Sequence, residues 1–189
     1  LPEGQFVSGL AEVVKYGAID SPVLLDNLEA ASAEGGLREP AFLERTIATA
    51  CRIKKGFVEL DERDQGLRRV LNFGHTVGHA VEAVSGYTLS HGESVAIGMV
   101  AAARFSEELH HLPADDRRRI GAVIRALGLP DRIPGNLDLE AIRARISRDK
   151  KKKGETVRFV LLKKLGVPIV NGSIPENMLT KTLEGLKKG

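Results

Sequence analysis

Residues Leu71 to Glu93 read LNFGHTVGHAVEAVSGYTLSHGE and hold three of the chain's five histidines. His75 and His79 stand four apart, the separation that stacks two side chains on one face of a helix, where one metal ion can bridge their imidazoles. Val77, Ala80, Val81, Ala83 and Val84 recur with helical spacing, so at least one of the histidines lies near a buried face. Gly86-Tyr87 then marks a turn, and His91 opens HGESVAIGMVAAA, whose small apolar run predicts a buried second helix. Two helices with so short a connection pack as an antiparallel pair, which brings His91 near one end of the first.

The plainer reading of a histidine on a half-apolar helix is a hydrogen-bonded core or surface residue. Three together point instead to a metal site, since neutral imidazole suits zinc and a catalytic zinc takes three protein groups and leaves a position open. Thr76 stands where a zinc-protease helix of the His-Glu-x-x-His type would carry glutamate, which disfavours that class.

On the N-terminal side, Leu1-Pro2-Glu3-Gly4 reads as a loop, and a first residue other than Met reads as a fragment or processed product. Leu10, Val13, Val14, Ala18 and Ile19 predict a first helix with Ser8 as N-cap. Glu12 and Lys15 share a face inside it, and mutual neutralisation is their plainer reading. Pro22 opens a second helix that ends near Gly35-Gly36. Pro40 opens a third, through AFLERTIATACRIKKGFVEL, with Phe42, Ile47, Ala50, Ile53 and Phe57 as an apolar stripe. The charged segment DERDQGLRR, with Gly66 in a turn, leads into the histidine cluster.

On the C-terminal side, ADDRRRIGAVIRALG predicts a helix with Asp115 and Asp116 at its start and Gly128 at its end. LDLEAIRARISRD predicts another, followed by the lysine run DKKKKGE as a solvated turn. Thr156 to Leu162 and Val167 to Val170 are the only strand-like runs and predict one hairpin; Pro175 to Lys188 predicts a final short helix. No βαβ alternation and no glycine-rich phosphate fingerprint follow a strand, which excludes a dinucleotide-binding domain within these residues. The fold expected is mainly α, a multihelical domain over 1–189 with one small β-hairpin.

Composition excludes several functions. With 28 basic and 25 acidic residues the net charge is only +3, and eight aromatics without tryptophan argue against a nucleic-acid partner. Cys51 is the single cysteine, so no internal disulfide forms. The longest uncharged run, Ser94 to Ala103, is far below the ~20 residues a bilayer requires. These features predict a soluble, cytoplasmic protein with no membrane partner.

In order and spacing, GLAEVVKYGAI, DERDQGLRRVLNFGHTVGHAVEA, HGESVAIGMVAAA and DKKKKGETVRFVLLKKLG resemble the C-terminal domain of the 3-dehydroquinate synthase family, within the sugar-phosphate cyclase superfamily. The resemblance spans nearly the whole chain. It implies zinc, or a cobalt-like ion, held by Glu12, His75 and His91, with His79 serving the substrate phosphate instead. Spacing alone would have paired His75 with His79. The resemblance also implies that Arg68 and Lys54 hold the substrate carboxylate and hydroxyls, that Lys15 and Asn72 make further substrate contacts, and that Lys150 or Lys151 meets the phosphate. Lys15, Lys54, Arg68, Asn72 and His79 are thereby its implied catalytic set. Asp61-Glu62-Arg63-Asp64 departs from the family's Asp-Glu-Arg-Glu by one methylene.

The implied substrate, 3-deoxy-arabino-heptulosonate 7-phosphate, is an acidic sugar phosphate, which suits a pocket of lysine, arginine and a cation. The implied reaction uses NAD to oxidise a ring hydroxyl transiently. Phosphate elimination, reduction, ring opening and aldol closure then give 3-dehydroquinate in the shikimate pathway. The NAD-binding half of the family has no counterpart in these residues, so the isolated chain is expected to be inactive, and the implied full-length enzyme is a homodimer. Other readings are a 2-deoxy-scyllo-inosose or valiolone-type cyclase, a glycerol dehydrogenase-like metal enzyme, and a helical domain with a structural metal. Arg68 separates the first reading from the carboxylate-free ones.

Overall fold

The computed structural model describes residues 1–62, 66–109, 111–153, 158–171 and 174–188; for 149–153 and 171 only the backbone is described. Its helices are α1 (Glu3–Ile19), α2 (Pro22–Glu34), α3 (Pro40–Leu60), α4 (His75–Val84), α5 (His91–Glu108), α6 (Ala114–Ala126), α7 (Leu139–Lys153) and α8 (Glu176–Leu186). A 3-10 helix, Leu67–Asn72, precedes α4, and β1 (Phe159–Lys164) pairs antiparallel with β2 (Val167–Asn171). The mainly α domain with one hairpin is therefore the observed architecture.

Helix α5 is the central element, because its sequence is small and apolar on every side. Val95, Ala96, Ile97, Met99, Ala101 and Phe105 are all buried, as a helix without a polar face must be. Its start is held by a capping box: the Glu93 N–H donates to Ser90 Oγ, and the Ser90 N–H donates to Glu93 Oε2.

Glycines set how closely α4 approaches α5. A Cβ on Gly98 would stand 1.9 Å from the Gly74 carbonyl oxygen and 2.7 Å from the Gly78 nitrogen. A Cβ on Gly78 would stand 3.0 Å from the Ser94 carbonyl oxygen. The two backbones therefore touch, and the order of contacts, Gly74 with Met99 and Gly78 with Ser94, makes the pair antiparallel as the short connection requires. The connection turns through Gly86 at φ 65° and Tyr87 at φ 61°, both left-handed.

Helix α1 crosses the start of α5, where the structure corrects the expected boundary. It begins at Glu3, not after an N-cap at Ser8. Ser8 lies inside it, and its Oγ accepts from the Gly92 N–H at 3.0 Å, satisfying one of the free donors at the start of α5. At the other end of the molecule, Ser106 Oγ donates to the Ala102 carbonyl and accepts from the Leu162 N–H, tying the hairpin to α5. The Gly166 N–H donates to the Ala18 carbonyl at 2.8 Å, so the hairpin turn also closes on α1.

Three further expectations change. The α3 stripe is narrower than its spacing suggested: Phe42, Ala50, Ile53 and Phe57 pack partly buried against the core, but Ile47 is 57% exposed. Helix α7 continues to Lys153, so the lysines placed in a solvated turn lie on a helical backbone. The first strand begins at Phe159 within the described residues; Thr156 and Asp64 lie outside them.

Candidate metal and substrate site

His75 is the first residue of α4 and His91 the first of α5, while Glu12 comes from the middle of α1. The crossing of these helices brings Glu12 Oε1 to 3.6 Å from His75 Nε2 and 3.9 Å from His91 Nε2. The rings of His75 and His91 are 5.3 Å apart between centroids; His79 is 5.2 Å from His75 and 5.7 Å from His91. One ligand nitrogen from each of the three histidines can be chosen so that all lie within 4.8 Å of one another. Four groups thus surround one point, and geometry alone admits both Glu12/His75/His91 and the three histidines as ligand sets.

The electrostatics of Glu12 favour the first set. Its Oε2 accepts from Lys15 Nζ at 2.6 Å, which realises the plainer reading of that pair. Its Oε1 is buried, has no hydrogen-bond donor among the described residues, and faces the two imidazole nitrogens. A buried carboxylate oxygen without a donor costs free energy, and a cation between it and the imidazoles removes that cost. Burial pushes the Glu12 carboxyl up, but Lys15, then His75 and His91, hold it below its ordinary value. It is ionised at neutral pH.

The histidines are oriented as ligands are. His75 Nδ1 lies 3.1 Å from the Phe73 carbonyl oxygen, an acceptor only, so Nδ1–H donates and Nε2 presents its lone pair to Glu12. Burial first, and the Lys15 ammonium next, push the His75 pKa down to about 4, so this imidazole is neutral near pH 7. His91 Nδ1 lies 3.4 Å from Glu82 Oε2, with Nε2 on the opposite edge of the ring facing Glu12. A glutamate, the neutral His75 imidazole and exposed histidines on one side form a donor set suited to zinc or cobalt.

Of the expected substrate residues, Lys15 and His79 stand beside this point. Lys15, 3% exposed, is pulled below its usual pKa by burial, opposed by Glu12 and assisted by Lys54, whose charge reaches it from α3. The Lys15 ammonium stands 4.9 Å from the centroid of the Tyr16 ring. Burial, together with Glu12 and Cys51, raises the Tyr16 phenol to about 12, so it stays neutral. Arg68 and Asn72 lie on the 3-10 helix leading into Gly74-His75, the Arg68 N–H donating to Asp61 Oδ2 at 3.0 Å. His79 lines a pocket of about 330 Å³ with Thr76, Glu82, Tyr87 and Arg145. The side chains of Lys150 and Lys151 lie outside the described residues.

Local sequence reading by itself missed Glu82 and the use of Ser8. Glu82 carries a legible signal, since it falls seven residues after His75 and three after His79 on the same face of α4. Ser8 carries none, because its partner is eighty-four residues away.

A helical unit with one hairpin, built so that α1 crosses the start of a buried α5, is a fold shared with solved synthases. A 2-epi-5-epi-valiolone synthase from Streptomyces hygroscopicus, solved with NAD+ and Zn2+ bound, superposes with a TM-score of 0.85 at 22% identity over 98% of this chain and 52% of its own. A 2-deoxy-scyllo-inosose synthase solved with carbaglucose-6-phosphate, NAD+ and Co2+ gives 0.83 at 22% identity, over 98% and 53%. Sequence narrows this class. Residues 9–152 match the family model of the 3-dehydroquinate synthase C-terminal domain, and the chain belongs to that family. The 3-dehydroquinate synthase of Nostoc punctiforme is 42% identical over 98% of the chain, and that of Halorhodospira halophila 44% over 97%. The chain spans about half the length of these curated relatives, 52% in both cases.

Proposed function

We propose that this chain provides the metal- and substrate-binding half of a 3-dehydroquinate synthase, which converts 3-deoxy-arabino-heptulosonate 7-phosphate to 3-dehydroquinate and phosphate. The observation that carries the proposal is Glu12 Oε1, buried without a hydrogen-bond donor among the described residues and aimed between His75 Nε2 and His91 Nε2. Identity of 42–44% to 3-dehydroquinate synthases, against 22% to the two cyclases of other specificity, favours this substrate within the superfamily.

Glu12, His75 and His91 would hold the ion, zinc or cobalt by the likeness to the two solved cyclases. Bound there, a divalent ion supplies Lewis acidity toward a substrate hydroxyl, and NAD, held outside these residues, supplies the transient oxidation. The chain's own groups bind and orient the substrate. Lys15, locked against Glu12 Oε2 in a nearly closed environment, presents a cation beside the ligand set. His79, exposed on the open side of the cluster, donates to the substrate phosphate, with Lys150 or Lys151 completing that contact. Arg68 pairs with the carboxylate through two parallel hydrogen bonds, a geometry that lysine cannot reproduce. Lys54 holds ring hydroxyls, and Asn72 makes a further substrate contact.

Among the described residues the only sheet is a two-stranded antiparallel hairpin, so a βαβ nucleotide site is lacking there. The chain alone is therefore expected neither to bind NAD nor to turn over substrate. No described helix is long and apolar enough to cross a membrane. The decisive experiment titrates zinc and cobalt into the metal-free chain against a chromophoric chelator. One site per chain is expected, lost on Glu12→Gln. Retention of parental affinity by Glu12→Gln would give the site to the three histidines instead.

A further inference from the structure

We infer that Glu82 is a positioning residue for the metal ligand His91, an inference that rests on the ligand set just proposed. The two ring nitrogens of His91 face two different carboxylates. Nε2 is 3.9 Å from Glu12 Oε1, and Nδ1 is 3.4 Å from Glu82 Oε2. A carboxylate only accepts, so the Glu82 contact makes Nδ1 the donor and leaves the Nε2 lone pair directed at the metal position. Swapping the tautomer would turn an N–H toward that position and abolish ligation.

His91 has greater need of such a holder than His75. The side chain of His75 is 12% exposed and hydrogen-bonded to the fixed Phe73 carbonyl, whereas that of His91 is 45% exposed at the very start of its helix. Burial does not choose its rotamer. Glu82 is placed to do so: its side chain is only 20% exposed, on the face of α4 that carries His75 and His79, near the end of α4 that meets the start of α5. The antiparallel glycine contact fixes where the two helix ends stand relative to each other. A carboxylate accepting from the far nitrogen of a ligating imidazole both fixes the ring and raises its basicity.

The test loads the chain with Co2+, reading affinity by chelator competition and geometry from the visible absorption bands. Glu82→Ala is expected to weaken Co2+ binding by about ten- to a hundredfold, the usual effect of losing such a partner, and to alter the bands. Glu82→Gln retains an oxygen that accepts from Nδ1–H and is expected to restore most of the affinity. In a His91→Ala background, Glu82→Ala should have no further effect on affinity. Long-range 1H–15N correlation of the metal-free chain should show the Nδ1–H tautomer of His91 in the parent and a mixture in Glu82→Ala, a readout that stands even if metal binding by the parent fails. Unchanged affinity and bands in Glu82→Ala, equal damage from Glu82→Gln, an equal loss without His91, or an unchanged tautomer would each overturn the role. Loss of metal by Glu12→Gln with no effect of Glu82→Ala would leave the ligand set standing and remove only this inference.

Discussion

Replacing Gly98 with alanine tests whether backbone contact between α4 and α5 sets the geometry of the ligand cluster. The added Cβ would meet the Gly74 oxygen at 1.9 Å, the Gly78 nitrogen at 2.7 Å and the Gly74 carbonyl carbon at 2.9 Å. All three atoms are backbone, so no rotamer change relieves the clash. A C–H···O contact settles at about 3.3 Å or more, so the helices must part by about 1.4 Å. Overpacking of this kind costs about 1–3 kcal/mol, and the most severe clash belongs at the top of that range. Alanine returns about 1 kcal/mol of helix propensity, leaving a net loss of about 2 kcal/mol. For a chain of this size that lowers the melting temperature by about 4–8 °C. Metal affinity should fall with it, since His75 follows Gly74 directly and ligand distances tolerate only about ±0.2 Å. Thermal denaturation of the metal-free chain and zinc competition measure the two effects. Gly56→Ala is the control, because a Cβ there meets nothing within 4 Å; it should be neutral or slightly stabilising. A Gly98→Ala chain that melts with the parent and binds zinc equally well would refute the reasoning.

Glu12→Gln should do more than remove a proposed ligand. It strips the counter-charge from Lys15, buried with 3% exposure, and should cost the metal-free chain about 3 kcal/mol, the low end for breaking a buried pair because the Glu12 side chain is itself 32% exposed. Adding Lys15→Met should recover much of that stability without recovering zinc, as urea denaturation and competition titration would show; no recovery would mean the pair is not what Glu12→Gln breaks. Acid should also weaken the metal-free chain. His75 has a pKa of about 4 folded against about 6.5 unfolded, so between those values the unfolded chain binds the extra proton. Stability is then full above about pH 6.5 and falls toward pH 4, by up to about 3 kcal/mol; the lowered Glu12 carboxyl adds loss of the same sign at the acid end of that window. A urea midpoint flat from pH 7 to 4.5, or a slope unchanged in His75→Asn, would contradict this. In an enzyme that joins this chain to an NAD-binding half, Arg68→Lys should weaken the acidic substrate by about 1.5–3 kcal/mol, roughly ten- to a hundredfold in affinity, with little change in folding. Equal turnover by Arg68→Lys would remove the carboxylate contact and favour a substrate without that group.

What the sequence determined by itself is what short-range physics controls. Helical periodicity placed α2 and α6 closely, and glycine-bounded β-branched runs marked the hairpin. The pair His75 and His79, with His91 after a turn, was legible because helix geometry alone puts those imidazoles near one another. Glu12 was a different matter. Taken locally it paired with Lys15, as it does in the structure through Oε2; only the family resemblance singled it out as a ligand. That Oε1 is free and directed at two imidazoles depends on where α1 crosses α5, and the crossing rests on contacts between residues far apart in the chain, such as Ser8 with Gly92. The same physics explains the misreadings. Ser8 is a good N-cap residue that instead caps a different helix, and Ile47 sits on an apolar stripe whose outer edge meets nothing among the described residues that buries it. Glycines 74, 78 and 98 carry no role that local sequence could show. The tertiary structure shows them as the surface on which α4 and α5 touch, because backbone can approach backbone only where no Cβ intervenes.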